Sequence, residues 1–306
     1  MTNVIETQAL TRRFGKNEAV HDLSIRVPAG SIFAFLGPNG AGKSTTIKLL
    51  MNILAPTAGS SSVLGVESSR LGPEQFQQIG YVAEDQRLPE WMTVEQFLNY
   101  VRPMYPTWDP AFCATLRKQF DLPPDRKLKQ LSRGMRMKAA LLASLAYRPK
   151  LLVLDEPFSG LDPLVRDEFI RGVLELTEQE QWTVFVSSHD IDEVERLADW
   201  VGIVNNGVLQ LEESVNDLQA RFRRMELVVQ ERMRLPTVLP SHWLVPEQAA
   251  HAVHYVDSQY EEQKSEAVAR EVIPTCTQCS ATPMSLREIF LALARTYRLA
   301  STEGTR

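Results

Sequence analysis

The stretch IFAFLGPNGAGKST, residues 32–45, joins a short apolar run to a glycine-rich loop and then to the start of a helical pattern. It contains the spacing G-x-x-x-x-G-K-[ST], which binds phosphate groups when it lies between a strand and a helix. The glycines let the backbone curl so that its N–H groups point inward, and the positive end of the helix attracts the anion. A turn that binds nothing would not account for Lys43 and Ser44 together. We predict that Lys43 contacts the β- and γ-phosphates of a nucleotide and that Ser44 holds Mg²⁺. The residues predicted to cradle the phosphates are Gly37, Pro38, Asn39, Gly40, Ala41, Gly42, Lys43, Ser44 and Thr45.

A second apolar run, LLVLDE at residues 151–156, ends in two carboxylates. A strand that ends in an acid beside a phosphate loop positions the carboxylate of Asp155 to bind Mg²⁺ through water. Glu156, one residue further on, is the predicted general base for an attacking water molecule. Taken alone, the run is typical of a strand that meets solvent, and the phosphate loop upstream favours the functional interpretation.

Short apolar or β-branched runs alternate with helical patterns over the first two thirds of the chain, which indicates an α/β fold. The predicted strands are residues 5–10, 19–27, 32–36, 61–64, 79–83, 151–154, 183–187, 201–204 and 208–211. The predicted helices are residues 43–53, 93–105, 110–120, 132–147, 163–180 and 191–198. The most continuous apolar runs are predicted to be central parallel strands, because such strands are buried on both faces.

From residue 215 onward this pattern weakens. It predicts a helix that ends at residue 222, a strand at residues 225–229 and an amphipathic helix at residues 285–297. We therefore predict two domains, residues 1–214 and 215–306.

The composition limits the classes of function. The 306 residues include 44% hydrophobic and 23% charged residues, as in ordinary globular proteins. The net charge of −5 comes from the first 214 residues, since eleven acids and eleven bases follow them. We expect no nucleic-acid partner, because the chain has no basic stripe for a phosphate backbone. Its apolar runs fall short of the roughly 20 residues that cross a bilayer, and it begins with no secretory pattern, so we expect it in the cytoplasm. Cys276 and Cys279 have metal-like spacing, but without a second pair we predict no zinc site.

The sequence LSRGM at residues 131–135 lies between the phosphate loop and the acid strand. With it, residues 3–214 resemble the ATP-binding-cassette (ABC) ATPase family, whose motifs occur here in the same order. LSRGM resembles the family's LSGGQ signature, with Arg133 in place of a glycine and Met135 in place of the glutamine. In the family, the N-terminus of this helix caps the γ-phosphate of an ATP held by the opposite subunit. The resemblance therefore implies a signature that acts on a second cassette, in a homodimer or a heterodimer, through Ser132, Arg133, Gly134 and Met135.

The same resemblance implies the architecture and the reaction. It predicts a P-loop NTPase of the ABC cassette form, with a RecA-like parallel sheet core, an N-terminal antiparallel β subdomain and an α-helical signature subdomain. A small C-terminal α+β accessory region, with a role in dimer contacts or regulation, is expected to follow. The predicted cofactors are ATP and Mg²⁺, and two cassettes are expected to close head to tail over two Mg-ATP.

Further positions match the family singly. His189 resembles the switch histidine that contacts the γ-phosphate, although a lone histidine at a strand end is more often a surface residue. Phe14 occupies the position of the aromatic residue that stacks on adenine, whereas an aromatic in a β-rich segment is otherwise a core residue. With these matches, the resemblance implies that Lys43, Glu156 and His189 form the catalytic set. The segment that resembles the D-loop, which crosses the dimer interface, consists of Ser159, Gly160, Leu161 and Asp162.

Two features follow the predicted strand at residues 79–83. Glu84 stands where the family has a glutamine that ligates Mg²⁺ and senses the membrane subunit. We predict that Glu84 is a metal ligand, with Gln86 as the alternative after a small shift of the loop. Trp91 lies where the family docks the coupling helix of its membrane partner, and its alternative role is local core packing.

Two classes of function remain, transport and action on nucleic acid or the ribosome. Members that act on DNA carry a long insertion before the signature, yet only about ninety residues separate Lys43 from Ser132. Translation-type members carry two cassettes in one chain, and this chain has one. A purely regulatory nucleotide-binding protein is disfavoured because Asp155, Glu156 and His189 are all present. We therefore predict the ATP-binding subunit of a transporter.

Two less specific sequence matches indicate a subgroup of transporters. The phrases IFAFLGPNG at residues 32–40 and SLREIFLAL at residues 285–293 resemble the bacterial ABC-2-type exporter subgroup. The resemblance implies a separate integral membrane permease as partner, a peripheral position on the cytoplasmic face of the cell membrane, and outward transport. The membrane subunit chooses the cargo in such systems, so this sequence does not specify it.

Overall fold

The structure, a computed structural model, describes residues 2–230, 235–236 and 238–303. The chain divides into two units, Met1–Glu212 and Glu213–Arg306. The strands of the first are β1 (Asn3–Phe14), β2 (Asn17–Leu23), β3 (Arg26–Pro28), β4 (Ile32–Leu36), β5 (Ala58–Val63), β6 (Val66–Glu67), β7 (Ile79–Val82), β8 (Leu151–Asp155), β9 (Thr183–Ser188), β10 (Trp200–Asn205) and β11 (Val208–Ser214). Its helices are α1 (Lys43–Leu50), α2 (Pro73–Phe76), α3 (Val94–Val101), α4 (Pro110–Gln119), α5 (Arg133–Leu145), α6 (Pro163–Glu180) and α7 (Ile191–Val194).

A six-stranded sheet in the order β11-β10-β4-β9-β8-β7 forms the centre of the first unit. The pairs β10·β4, β4·β9, β9·β8 and β8·β7 are all parallel. Every residue of β4, β8 and β9 is buried, and Phe185 lies 5.6 Å from Phe33 and 5.5 Å from Phe35 between ring centroids. The prediction that the most continuous apolar runs form central parallel strands is confirmed.

A second, antiparallel sheet covers the N-terminal part, in the order β2-β1-β5-β6 with β3 paired to β1. The single strand predicted at residues 19–27 is wrong, because the chain breaks between β2 and β3. The hydroxyl of Thr7 donates to Leu23 O at 2.8 Å and accepts from Ile25 N at 2.9 Å. This side chain takes the place of a backbone partner on both sides of the break.

The helices α3, α4 and α5 lie between β7 and β8 in the chain, and α5 packs on β7 and α4. The phenol of Tyr147 donates to Ile79 O at 2.8 Å, and its ring stacks on Tyr105 at 3.8 Å. These contacts fix the helical region to the end of the parallel sheet. The α-helical region therefore packs directly against the edge strand β7 of the parallel sheet.

Three predicted helices end early. The helix predicted at residues 43–53 stops at Leu50, because Asn52 adopts a left-handed conformation (φ 54°) and the N–H groups of Ile53 and Leu54 turn back to Lys48 O. The helix predicted at residues 93–105 stops at Val101, where a 3₁₀ turn containing a proline follows. The helix predicted at residues 191–198 tightens into turns after Val194.

The second unit contains α8 (Val215–Arg221), β12 (Arg223–Val229), β13 (Trp243–Gln248), β14 (Ala252–Asp257), α9 (Glu262–Val272), β15 (Cys276–Pro283) and α10 (Leu286–Glu303). Its antiparallel sheet has the order β13-β14-β12-β15. A core of its own includes Leu227, Trp243, Tyr255, Ala269 and Ile273, with Trp243 stacked on Tyr255 at 3.8 Å. The sequence predicted α8, β12 and α10, but not β13, β14, α9 or β15.

Two further observations concern the described residues. The three cysteines are free thiols, and no cluster of three or more histidine, cysteine, aspartate or glutamate side chains suited to a metal is found among the residues that the structure describes. Within the same part of the chain, no helix is both long and apolar enough to span a bilayer.

Candidate functional site

The phosphate loop lies between β4 and α1, where close backbone approaches require its glycines. Gly42 precedes α1 with φ 102°, and a Cβ built there would lie 2.3 Å from Ala19 O. A Cβ on Gly37 would lie 2.3 Å from Val204 O. Larger residues would therefore collide with backbone atoms at both positions. The loop therefore packs closely on the backbone at residues 19 and 204 at both ends.

Lys43 is buried at the centre of this loop, with 5% of its side chain exposed. Its Nζ donates to Gly37 O at 2.7 Å and to Pro38 O at 3.2 Å. It also lies 3.0 Å from Oε1 of Glu156, which is equally buried. Oε1 has no well-aligned hydrogen bond, so the contact is ionic. The lysine is thus held by its own loop and by the predicted general base.

Asp155 ends β8 beside Ser187 of β9, which is its partner in the parallel register. Its Oδ1 accepts from Ser44 Oγ at 2.9 Å and from Ser187 Oγ at 2.8 Å. Burial raises the pKa of the Asp155 carboxyl, and the two hydroxyl donors oppose that shift. The predicted metal ligands Ser44 and Asp155 therefore meet directly. Ser187 was not predicted, because a serine that ends an apolar strand carries no signal of its own.

Glu156 joins two predicted catalytic residues. Its Oε2 lies 2.7 Å from Nδ1 of His189, while its Oε1 faces Lys43. Its backbone is left-handed (φ 49°), which is uncommon outside glycine, and its N–H donates to Ser187 Oγ at 3.0 Å. The backbone turn after β8 thus directs this carboxylate between the lysine and the histidine.

Glu84 lies in the turn after β7 and belongs electrostatically to the same cluster. Burial raises the pKa of its carboxyl, and the negative charges of Glu156 and Asp155 raise it further, while Arg133 opposes them. Gln86, the alternative ligand, instead uses its side-chain oxygen to accept from Ala83 N at 3.2 Å. The side-chain oxygen of Gln86 is thus engaged within its own turn, while Glu84 senses the charges of Asp155 and Glu156.

The segment that resembles the signature begins α5, with Ser132 as its N-cap accepting from Met135 N at 3.2 Å. Gly134 is buried, and a Cβ there would lie 2.8 Å from Cγ1 of Val165 on α6. This glycine therefore has a packing reason within its own chain as well as its predicted role towards phosphate.

The signature also touches the segment that resembles the D-loop in the same chain. Gly160 has φ 68°, and a Cβ there would lie 2.5 Å from Nη1 of Arg133. In that segment, Ser159 N donates to Glu156 O at 3.2 Å, and Asp162 caps α6 by accepting from Val165 N at 3.1 Å. Leu161 is buried. Arg133, which departs from the family pattern, therefore lies over the backbone of the D-loop segment.

Two aromatic side chains are exposed at predicted contact positions. Phe14 ends β1 with 45% of its surface exposed, and the guanidinium of Arg12 lies 4.6 Å from its ring centroid. The core alternative for Phe14 is therefore wrong, and one face of its ring is covered by a cation. Trp91 is 69% exposed, so the alternative of local core packing is wrong for it as well.

Three segments, which follow the adjacent parallel strands β4, β8 and β9, bring together Lys43, Ser44, Asp155, Glu156 and His189 at the carboxyl ends of these strands. Ligands bind at this edge in open α/β sheets. A lysine that can contact phosphate, a carboxylate that can hold Mg²⁺ and a second carboxylate that can act as a base together suit transfer of a phosphoryl group to water. Fold and site thus define a P-loop nucleotide hydrolase.

The comparisons with known proteins narrow this class. The family model described as ABC transporter matches residues 20–159. The chain is 30% identical to a bacitracin transport ATP-binding protein of Bacillus licheniformis, over 82% of this chain and 83% of that protein. It is 34% identical to a lantibiotic transport ATP-binding protein of Streptococcus pyogenes, over 68% and 90% of the two chains. A solved structure of the ATP-binding subunit of an ABC transporter matches with a TM-score of 0.63 at 27% identity, over 71% of this chain and 92% of that one. The chain therefore belongs to the ABC transporter ATP-binding proteins, and it is an ATPase subunit of such a transporter.

Proposed function

We propose that this subunit uses ATP binding and hydrolysis to drive export through a separate membrane permease. The observation that carries the proposal is the position of Glu156, buried between Lys43 and His189 at the end of β8. The names of the bacitracin and lantibiotic transport relatives support an antibiotic-like cargo, and the outward direction rests on the resemblance to the ABC-2-type exporter subgroup. The alternative, action on nucleic acid or the ribosome, is not favoured, since these relatives are transport proteins.

Mg²⁺ is proposed to bind at Ser44, Asp155 and Glu84. One hydroxyl and two carboxylates are the oxygen ligands that this ion prefers in phosphate-binding sites. The negative charges of Glu156 and Asp155, which add to burial in raising the pKa of Glu84, support the assignment, because a bound cation would relieve this repulsion. The ion would neutralise phosphate charge, while the protein residues hold it in place.

Catalysis is proposed to begin when ATP phosphates displace the carboxylate from Lys43. The lysine then turns its charge to the β- and γ-phosphates, and Glu156 is freed to accept a proton from the attacking water. His189 keeps Glu156 oriented from the other side through the 2.7 Å contact and faces the γ-phosphate. Positioning and charge stabilisation, rather than covalent chemistry, supply the rate.

A second cassette is proposed to complete each site. The free N–H groups at the start of α5, behind Ser132, would face the γ-phosphate of ATP on the partner cassette, together with Arg133, Gly134 and Met135. The D-loop segment, residues 159–162, is proposed to line the same interface. Residues 1–214 form the ATPase domain in this proposal, and residues 215–306 form an accessory region for dimer contacts or regulation.

The membrane permease is proposed to dock beside the Glu84 turn. The subunit is proposed to lie on the cytoplasmic face of the membrane. A groove of about 800 Å³ lies there, lined by charged residues that include Glu84, Arg87, Arg133 and Arg136. The exposed indole of Trp91 supplies an aromatic side chain of the kind that anchors such interfaces. The proposed partner surface and the proposed metal ligand therefore adjoin.

The decisive experiment measures ATP hydrolysis and self-association in the same protein. Glu156→Gln should abolish phosphate release while retaining ATP, so that ATP shifts this variant to a dimer on size-exclusion chromatography. Glu74→Gln, the same change on the exposed helix α2, is the matched control and should behave as wild type. Hydrolysis by Glu156→Gln at the wild-type rate would show that another group is the base.

A further inference from the structure

A buried acid lies behind the switch histidine. Glu193, on the short helix α7, has 3% of its side chain exposed. Its Oε2 makes a short hydrogen bond with Ser188 Oγ, and its Oε1 lies 3.4 Å from Nη2 of Arg166. Ser188 immediately precedes His189. The only contact of this acid towards the catalytic centre among those described thus passes through the residue that carries the histidine.

Ser188 is held from several directions. Its Oγ accepts from Asp190 N at 3.1 Å and also lies 3.1 Å from Asp190 O, in addition to its bond with Glu193. A hydroxyl has one proton to donate, so Glu193 and Asp190 O compete for it unless Glu193 carries a proton itself. Burial raises the pKa of the Glu193 carboxyl, whereas the hydrogen bond from Ser188 and then the charges of Arg166 and His189 oppose that shift. Either protonation state leaves Glu193 bonded to Ser188 and fixes the backbone before His189.

Arg166 connects this acid to the segment that resembles the D-loop. It lies on the first turn of α6, whose N-cap is Asp162 of that segment, and its N–H donates to Asp162 O at 3.0 Å. Its Nε is buried without a hydrogen-bond partner, so the contact with Glu193 is the one described ion pair of this guanidinium. A continuous series of contacts therefore runs from Asp162 through Arg166, Glu193 and Ser188 to His189.

We propose that Arg166 and Glu193 are positioning residues that fix the position of His189 relative to the D-loop segment. The inference rests on the proposed catalytic role of His189 and adds what sets its position. Movement of the D-loop segment, when a second cassette closes on it, shifts the first turn of α6 and with it Arg166. Glu193 passes that shift to the backbone at Ser188. The 2.7 Å contact of His189 with Glu156 is thereby kept while the D-loop segment moves on dimer closure.

The chain supplies its own control. A second pair joins α6 to the segment after α7, with Arg196 Nη1 2.6 Å from Asp167 Oδ1. Both of these side chains are more exposed, at 63% and 31%, and Asp167 also pairs with Arg171. This pair ties the same two segments together without touching Ser188. Removing the pair of Arg196 and Asp167 should therefore weaken the packing between the two segments in general, but it should not displace His189.

The test compares steady-state ATP hydrolysis by Glu193→Ala, Glu193→Gln, Arg166→Ala and Arg196→Ala in the full chain. Glu193→Ala and Arg166→Ala should lower kcat by about ten- to a hundredfold with little change in the KM for ATP, because misplacement of a group acting in the transition state affects kcat. Glu193→Gln should recover most of the rate, since an amide still bonds to Ser188. Arg196→Ala should keep the wild-type kcat, and thermal unfolding of each variant checks that it is folded.

Coupling to the histidine is tested in the His189→Ala background, where adding Glu193→Ala should cause no further loss. Wild-type kcat in folded Glu193→Ala overturns the inference and leaves the proposed function intact. Equal losses in Arg196→Ala and Arg166→Ala, or additive losses with His189→Ala, also overturn it. Absence of hydrolysis in the wild-type protein with its partner would instead refute the proposed function.

Discussion

The contact between Lys43 and Glu156 predicts how stability responds to nucleotide. Both side chains are 5% exposed and lie 3.0 Å apart. Removing one member of a buried pair costs about 3–5 kcal/mol when the other charge is left without a partner. In Glu156→Gln, however, Lys43 keeps its bonds to Gly37 O and Pro38 O. We therefore expect a smaller loss, about 2 kcal/mol, in the free energy of unfolding. For a domain of this size, that loss lowers Tm by about 4–8 °C.

Mg-ATP should reduce the difference in Tm between Glu156→Gln and the wild-type protein, because the phosphates supply the negative charge that the variant lacks. The wild-type protein must separate Lys43 from Glu156 before the lysine can bind phosphate, whereas the variant has no such contact to break. Saturating Mg-ATP should therefore raise the Tm of Glu156→Gln by more than that of wild type. Differential scanning calorimetry measures the Tm of each protein with and without Mg-ATP, using the unfolding transition that shifts with ATP. Glu74→Gln controls for the loss of a negative charge. Equal Tm values without nucleotide and equal increments with it would refute the reasoning.

Four further predictions concern single positions. Gly42→Ala should abolish ATP binding in a filter or fluorescence assay, since its Cβ would lie 2.3 Å from Ala19 O at a φ of 102°; retained affinity would show that the loop can shift. Phe14→Ala should raise the KM for ATP about tenfold with kcat unchanged, because stacking on a base contributes about 1–3 kcal/mol, whereas Phe14→Tyr should match wild type. Trp91→Ala should leave hydrolysis by the isolated subunit unchanged and weaken permease binding at least tenfold in a pull-down titration, as loss of an aromatic anchor costs about 2 kcal/mol or more; unchanged permease affinity would place the docking surface elsewhere. The raised pKa of Glu84 means that this carboxyl accepts a proton at higher pH than an ordinary glutamate does. The Mg²⁺ concentration for half-maximal activity should therefore rise as the pH falls through that pKa, and Glu84→Gln should flatten this dependence on pH.

The central sheet was predictable because its strands are buried on both faces. Such strands appear in the sequence as continuous apolar runs, and a glycine or an acidic residue marks the end of each run. The ends of other elements were harder to predict. The hydroxyl of Thr7 divides β2 from β3 through contacts with residues 16 and 18 positions away, which the local sequence does not indicate. The end of α1 is local, because Asn52 adopts a left-handed conformation, but an asparagine within a helical pattern does not by itself mark the end of a helix.

The second unit was harder to predict because its outer strands, β13 and β15, lack the regular alternation that β12 shows. The strand β13 contains Pro246, a residue that ordinarily argues against a strand, and the register shifts between Leu244 and Glu247. The strand β15 is mostly exposed and rich in small polar residues. Pairing with β12 and β14 therefore determines these strands, rather than their own propensities.

The site residues were predictable from motifs, but their contacts were not. Sequence spacing identifies Lys43, Glu156 and His189 separately, whereas the sharing of one carboxylate between the lysine and the histidine requires the fold. The roles of Ser187 and Glu193 depend on the parallel register of β8 and β9 and on burial. Common polar residues of this kind give no signal in a single sequence.

The parallel register of β8 and β9 has a consequence for how this sequence can change length. Asp155 lies opposite Ser187 in that register, and Glu156 and His189 follow the same two strands. Deleting or inserting one residue within either strand would turn every later side chain of that strand to the other face of the sheet. In a library of single-residue insertions and deletions, changes in exposed loops outside the site should therefore be tolerated, and changes across residues 151–156 and 183–189 should be eliminated, including positions whose side chains tolerate substitution.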